Sequence, residues 1–226
     1  MVPPEHSDAD WRRDVDVYGQ KYKATPSNVG VALHYAKALR MIGERAQAVA
    51  VLERISIENP HNKEVLGAYG RALADAGNYN QALEVLERAH TPDQPDWHIL
   101  SAQGAILDQM GRHADAQRYY QTALKIVPNE PTVLSNLGLS YALAKDLPRA
   151  EATLRRAASR TSVDPRVRQN LALIVGLQGR FAEAEAIARA DLPPDEAAAN
   201  VEYLKQMLAH HKDLRNTKTS SVTSHD

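Results

Sequence analysis

The sequence predicts an all-α fold: a solenoid, or α–α superhelix, of five helix–turn–helix repeats with a half-repeat helix before them and a capping helix after. Three observations predict it. Counted in steps of 34 residues, one column holds only Gly or Ala (Ala36, Gly70, Gly104, Gly138, Ala172) and a second holds only Ala (Ala48, Ala82, Ala116, Ala150, Ala184). A third column reads Gly43, Gly77, Gly111, Lys145 and Gly179, between two amphipathic runs, where a helix must stop. Pro26, Pro60 and Pro128 close units in the same register. Unrelated columns that agree without an insertion mark a true repeat.

The small columns have a packing cause. Two helix backbones approach closely only where neither carries a large side chain, and glycine inside a helix costs roughly 0.5–1 kcal/mol against alanine, so close contact must offset that loss. Each unit then buries its apolar face against its neighbours.

The elements follow in order. Residues 1–7 have two prolines and no pattern, and read as disordered. Residues 8–28 form an N-terminal cap, with Trp11, Val15, Tyr18 and Tyr22 at helical spacing. The repeats occupy 29–62, 63–96, 97–130, 131–164 and 165–194. Their helix pairs are expected at 29–42 and 44–58, 63–76 and 79–90, 97–110 and 113–126, 131–144 and 147–159, and 165–178 and 181–190. Asp96 and Asp164 offer N-cap oxygens, and Pro131 and Pro165 suit a first helical position. The fifth unit decays into Leu192-Pro193-Pro194, which must end its helix. A capping helix at 195–210 and a disordered tail at 211–226 complete the chain.

Composition narrows the chemistry. The net charge of 226 residues is −1, so no general field for nucleic acid is implied. The absence of cysteine removes a disulfide framework, a thiolate metal site and a cysteine nucleophile together. No run of about 18 apolar residues offers membrane insertion. Phosphate-binding glycine loops, a His-Glu-x-x-His helix and a Gly-x-Ser-x-Gly elbow are missing from the sequence. The nine histidines are scattered: His34 and His98 read as exposed polar positions, and His210-His211 as a frayed helix end. Glu183 and Glu185 read as a solvated helix face. The expectation is a chain with no catalytic residue, metal or cofactor.

The first helices of a helix-pair stack line its usual binding side. Early units place Lys37, Arg40 and Arg71 there, with Asp75 among them; later units place Asn136, Leu139, Leu143, Arg166 and Asn170, with Gln169, Leu173 and Leu177 nearby. Asparagine both donates and accepts, so Asn136 and Asn170 can pair with a peptide backbone of any sequence, or can simply be tolerated at exposed positions. Lys37, Arg40 and Arg71 suit acidic groups or stand as solvated charges. Leu173 and Leu177 lie either in the groove or beneath the capping helix.

From Asp8 to His210 the repeat columns resemble the tetratricopeptide family. A narrower resemblance rests on Arg168 to Leu208, above all Gly179-Arg180-Phe181-Ala182-Glu183-Ala184-Glu185, Asp191-Leu192-Pro193-Pro194 and Ala199-Asn200-Val201. This end is similar to the TadD family of tight-adherence (Flp-type) pilus assembly proteins. That resemblance implies a scaffold or pilotin-like role in assembling the secretin and other parts of a type IVb pilus secretion machine, by members that are typically outer-membrane lipoproteins facing the periplasm. The sequence as written has no lipobox cysteine and no signal peptide, which predicts a cytoplasmic chain; a chain trimmed of an export signal would read the same and belong in the periplasm. The carboxylate clamp of chaperone-binding tetratricopeptide proteins is not reproduced: Arg166 fits it, but Ser101 and Ala105 stand where Lys and Asn are wanted. The reading is a non-catalytic scaffold for a protein or peptide segment, pilus or secretin components first. A cytoplasmic adaptor or co-chaperone, and a regulatory repeat domain partnered with a separate enzyme, are the alternatives.

Overall fold

The computed structural model describes residues 6–91, 93–159 and 164–222, with side chains of the last helix described as far as His210. Among these residues it is all helical, and the only β feature is an isolated bridge between Thr91 and Gln94. After α1 (Asp8–Ala24) come five pairs: α2 (Val29–Met41) with α3 (Arg45–Glu58), α4 (Lys63–Asp75) with α5 (Tyr79–Glu87), α6 (Trp97–Gln109) with α7 (His113–Ile126), α8 (Pro131–Leu143) with α9 (Leu147–Ala158), and α10 (Pro165–Leu177) with α11 (Phe181–Ala188). The last helix is α12 (Pro194–Val222). Every expected helix is present.

Local chemistry sets the ends. Ser7 caps α1 in a reciprocal box with Asp10, and the side chains of Asn28, Asn62, Asp96 and Asp164 accept from first-turn amides of α2, α4, α6 and α10. Pro131 and Pro165 sit in the first turn of α8 and α10. Gly43, Gly77, Gly111 and Gly179 have φ between +74° and +85°. Lys145 takes the same left-handed conformation at φ +65°, without glycine's freedom.

The chain divides into two compact units, Met1–Arg112 and His113–Asp226. In the first, α1 packs on α2 and each later helix on its predecessor, while α2, α4 and α6 also touch as a row of first helices. Its core runs through Ala36, Leu39, Ala48, Leu52, Tyr69, Leu73, Ala82 and Leu86. In the second, α7 to α11 pack in sequence, α8 lies beside α10, and α12 covers α10 and α11.

The alanine column is the core seam: Ala48, Ala82, Ala116, Ala150 and Ala184 are all at or below 1% exposed. The glycine column is tighter than a methyl-sized gap. A Cβ on Gly70 would lie 2.5 Å from Cγ of Leu86 and 3.3 Å from the Ala82 carbonyl oxygen, and one on Gly138 would lie 2.7 Å from Cγ of Leu154. The contact made there is therefore with a leucine one turn past the alanine as well as with the alanine column itself. Gly176 serves α12 in the same way, since its Cβ would meet Leu204 at 2.5 Å.

Two sequence expectations are corrected. The tail expected to be disordered is helical backbone as far as Val222, because no Gly or Pro interrupts the chain after Pro194; residues 223–226 lie outside the described residues. At the other end, Ser7 is an N-cap and His6 packs on the Trp11 ring, whereas residues 1–5 of the segment expected to be disordered lie outside the described residues.

Candidate protein-binding faces

In the N-terminal unit, α2 and α4 bring Lys37, Arg40 and Arg71 to one pocket of about 340 Å³. Its walls include Leu33, Ala36, Ala68 and Glu64. Arg40 reaches across from α2 to α4 and its Nε donates to Asp75 at 2.6 Å, which ties the two first helices together. Lys37 is exposed, with its ammonium 5.4 Å from the centre of the Trp11 ring, so α1 helps to place it. Arg71 is half-buried; burial, then the charge of Arg40, pull its pKa below the usual arginine range. Sequence spacing found these three cations but not Trp11, because an inter-helix ring contact leaves no periodic trace.

In the C-terminal unit, α8 and α10 carry the other predicted residues. Asn170 donates one amide hydrogen to Ser135 Oγ at 3.2 Å, so it bridges the two first helices. Asn136 and Leu139 are half-buried on α8, and Leu143, at the end of that helix, is 56% exposed. Leu173 on α10 is 43% exposed and lines a pocket of about 390 Å³ with Ala172, Leu192, Tyr203, Leu204 and Met207. Leu177 instead packs into the core beside Ile187 and Val201. Leu177 is thus half-buried against the core, while Leu173 forms one wall of an open apolar pocket whose other wall is Tyr203 and Met207 of the capping helix. Arg166 lies exposed at the start of α10 and holds the Asp164 carboxylate with Nε at 3.0 Å and Nη2 at 2.9 Å. Its first partner is thus its own N-cap residue.

Several residues read as solvated are engaged. Glu183 joins Arg155 at 2.5 Å and Arg180 at 2.5 Å, and the same two arginines hold Glu151 at 2.7 and 2.8 Å, a closed ring of charges between α9 and α11. Glu185 pairs with Arg189, the C-cap residue of its helix. Arg168 donates from Nε and Nη2 to the two oxygens of the buried Asp191 carboxylate, which anchors the segment before α12 to α10. His34 stacks on Tyr18 at 3.8 Å and pairs with Asp14 at 3.1 Å, half-buried rather than exposed. His98 is exposed as expected and stacks on Trp97. Most of the side chains in the Arg180–Asp191 motif therefore have structural work within the C-terminal unit.

Among the described residues, no group of three or more His, Asp or Glu is placed to hold a metal ion, and no helix is long and apolar enough to cross a membrane.

Three models described as tetratricopeptide repeat match the sequence, over residues 43–104, 102–165 and 165–190, a span without a gap across more than half of the chain. The chain belongs to the tetratricopeptide repeat proteins. That membership puts it among protein–protein interaction scaffolds. Solved structures agree in fold. PilW, described as a widely conserved type IV pilus biogenesis factor, superposes with a TM-score of 0.73 at 20% identity, over 85% of this chain and 91% of PilW. A tetratricopeptide repeat protein from Parabacteroides merdae gives 0.74 at 14% identity, over 88% of this chain and 78% of its own. MamA gives 0.55 at 23% identity, over 66% and 88%. These identities speak for the fold alone. No curated protein matches the sequence.

Proposed function

We propose that this tetratricopeptide protein is a non-catalytic assembly factor of a Flp/Tad-type (type IVb) pilus secretion system, and that it holds a segment of a partner protein against the first helices of its C-terminal unit. The observation that carries the binding face is the run of large apolar side chains left in solvent on α8, α10 and α12: Leu143, Leu173, Tyr203 and Met207. Leu173, Tyr203 and Met207 line one pocket, and exposed apolar side chains gathered in one place mark interaction sites where singly scattered ones do not. Leu139 and Leu143 take apolar side chains of the segment. Asn170 has one N–H and its oxygen without a partner among the described residues, and these pair with the segment's backbone alongside Asn136. Arg166 meets an acidic group when it leaves Asp164.

The pilus assignment rests on the resemblance of the Gly179–Val201 region to TadD, with the fold shared with PilW as general support. In this reading the protein works on the periplasmic side of the outer membrane. Co-purification from native cells followed by mass spectrometry tests both parts. The wild-type chain should retrieve secretin or other pilus components. A variant with Asn136→Ala, Asn170→Ala and Leu143→Asp should lose them while its helix content by circular dichroism stays. Equal recovery by that variant rejects the face; recovery of a chaperone or a single enzyme instead of pilus components rejects the pilus role.

A further inference from the structure

The three cations of the N-terminal pocket are not equivalent. Arg40 is neutralised by Asp75 and Lys37 rests on Trp11, but Arg71 makes no hydrogen bond and no ion pair within reach among the described residues. Guanidinium groups that are half-buried are normally paired, since removing a charge from water without a partner is costly. Of the carboxylates whose field reaches Arg71, Asp75 is held by Arg40, and Asp96 caps α6 and binds the His98 ring. Only Glu64 remains, on the pocket wall. Lys37 and Arg71 against Glu64 leave room for a single negative charge. A dianion such as phosphate would face Glu64 with its second charge. The rest of the lining is apolar (Leu33, Ala36 and Ala68), which a free inorganic ion would leave uncovered.

We propose that this pocket takes one aspartate or glutamate side chain of a partner protein segment. Arg71 is its main ligand and Lys37 the second, and an aliphatic neighbour of the acid sits on Leu33, Ala36 and Ala68. Planar, two-pronged donation by Arg71 to a carboxylate is the geometry a guanidinium favours. Arg40, neutralised by Asp75, stays in place as a fixed wall of the pocket. The inference rests on the scaffold reading only in taking the ligand to be a segment of another protein. It concerns a pocket whose walls include none of the residues assigned to the C-terminal face.

The test uses a fluorescein-labelled capped peptide, Gly-Ser-Leu-Glu-Leu-Ser-Gly, and the same peptide with Gln in place of Glu, titrated against the full chain at low salt by anisotropy. The Glu peptide should bind at least about tenfold more tightly, as expected of a hydrogen bond to a charged group. Arg71→Gln should abolish that preference, and Asn170→Ala should leave it intact. Without peptide, Arg71→Met should raise the thermal midpoint by about 2–4 °C, because it removes an unpaired, desolvated charge. Equal binding of the two peptides, no binding of either, a preference that survives Arg71→Gln, or a lower midpoint for Arg71→Met overturns the proposal. Displacement of the Glu peptide by inorganic phosphate more readily than by acetate also overturns it, in favour of a free-anion site. Loss of the Glu preference would leave the C-terminal face standing, and recovery of pilus components by the C-terminal variant would leave this pocket standing.

Discussion

Gly70→Ala separates packing from helix propensity. At an open helix position the change should stabilise by about 1 kcal/mol, since alanine is the better helix former. Here the new methyl would stand 2.5 Å from Cγ and Cδ2 of Leu86 and 3.3 Å from the Ala82 carbonyl oxygen, and Leu86 is fully buried. Moving a buried leucine at its branch point costs on the order of 1–3 kcal/mol, so the net result is a loss of about 1 kcal/mol. Leu86→Ala alone should cost about 2–5 kcal/mol through the cavity it leaves. In the double variant the Gly70 methyl enters that cavity, so it should be at least about 1 kcal/mol more stable than the sum of the single changes. Both tryptophans, Trp11 and Trp97, lie in the unit that contains Gly70, so urea unfolding followed by their fluorescence reports on the right part of the chain. A stabilised Gly70→Ala, or strict additivity with Leu86→Ala, would refute the contact.

Two further outcomes follow from local geometry. Lys145→Gly relieves a left-handed lysine at φ +65°; the relief of about 1–2 kcal/mol, less about 0.4–1 kcal/mol for added freedom in the unfolded chain, predicts a net gain of about 0.5–1 kcal/mol. A thermal midpoint that does not rise in circular dichroism contradicts this. The charge ring predicts acid sensitivity. Burial pushes the Glu151 carboxyl up, but the bonds from Gln178, Arg155 and Arg180 outweigh it, and its pKa lies below the ordinary 4.5; bonds from Arg155 and Arg180 hold Glu183 below that value too. Both folded-state values are depressed, so their stabilisation is complete above the ordinary glutamate value and disappears as pH falls through the folded ones. Glu151→Gln should therefore weaken the C-terminal unit at neutral pH and flatten its loss of stability between about pH 5 and pH 3. An unchanged acid profile counts against the ring.

The repeat was legible because it rests on residue size at fixed intervals, and size survives in a sequence as Gly and Ala. The left-handed turns and the N-caps of α6 and α10 were legible for the same reason: one residue type satisfies one local need. Contacts between residues far apart in the chain were not. Nothing in the sequence shows that Asp191 would be held by Arg168, that Asn170 would donate to Ser135, or that Glu183 would close a ring with Arg155. Surface helices are full of charges, and the pairs that form depend on crossing geometry between helices. The pockets share this origin. Lys37, Arg40 and Arg71 could be placed on one side of their helices, but the role of Trp11 and the isolation of Arg71 emerge only when α1, α2 and α4 pack together.

Photocrosslinking in native cells tests the central claim most directly. Benzoylphenylalanine at Leu143 or Leu173, on the first-helix side, should capture the same partner protein. At Ala152, an exposed residue on α9, it should capture none. Capture from Ala152 alone, or equally from all three positions, would contradict a binding face on α8 and α10.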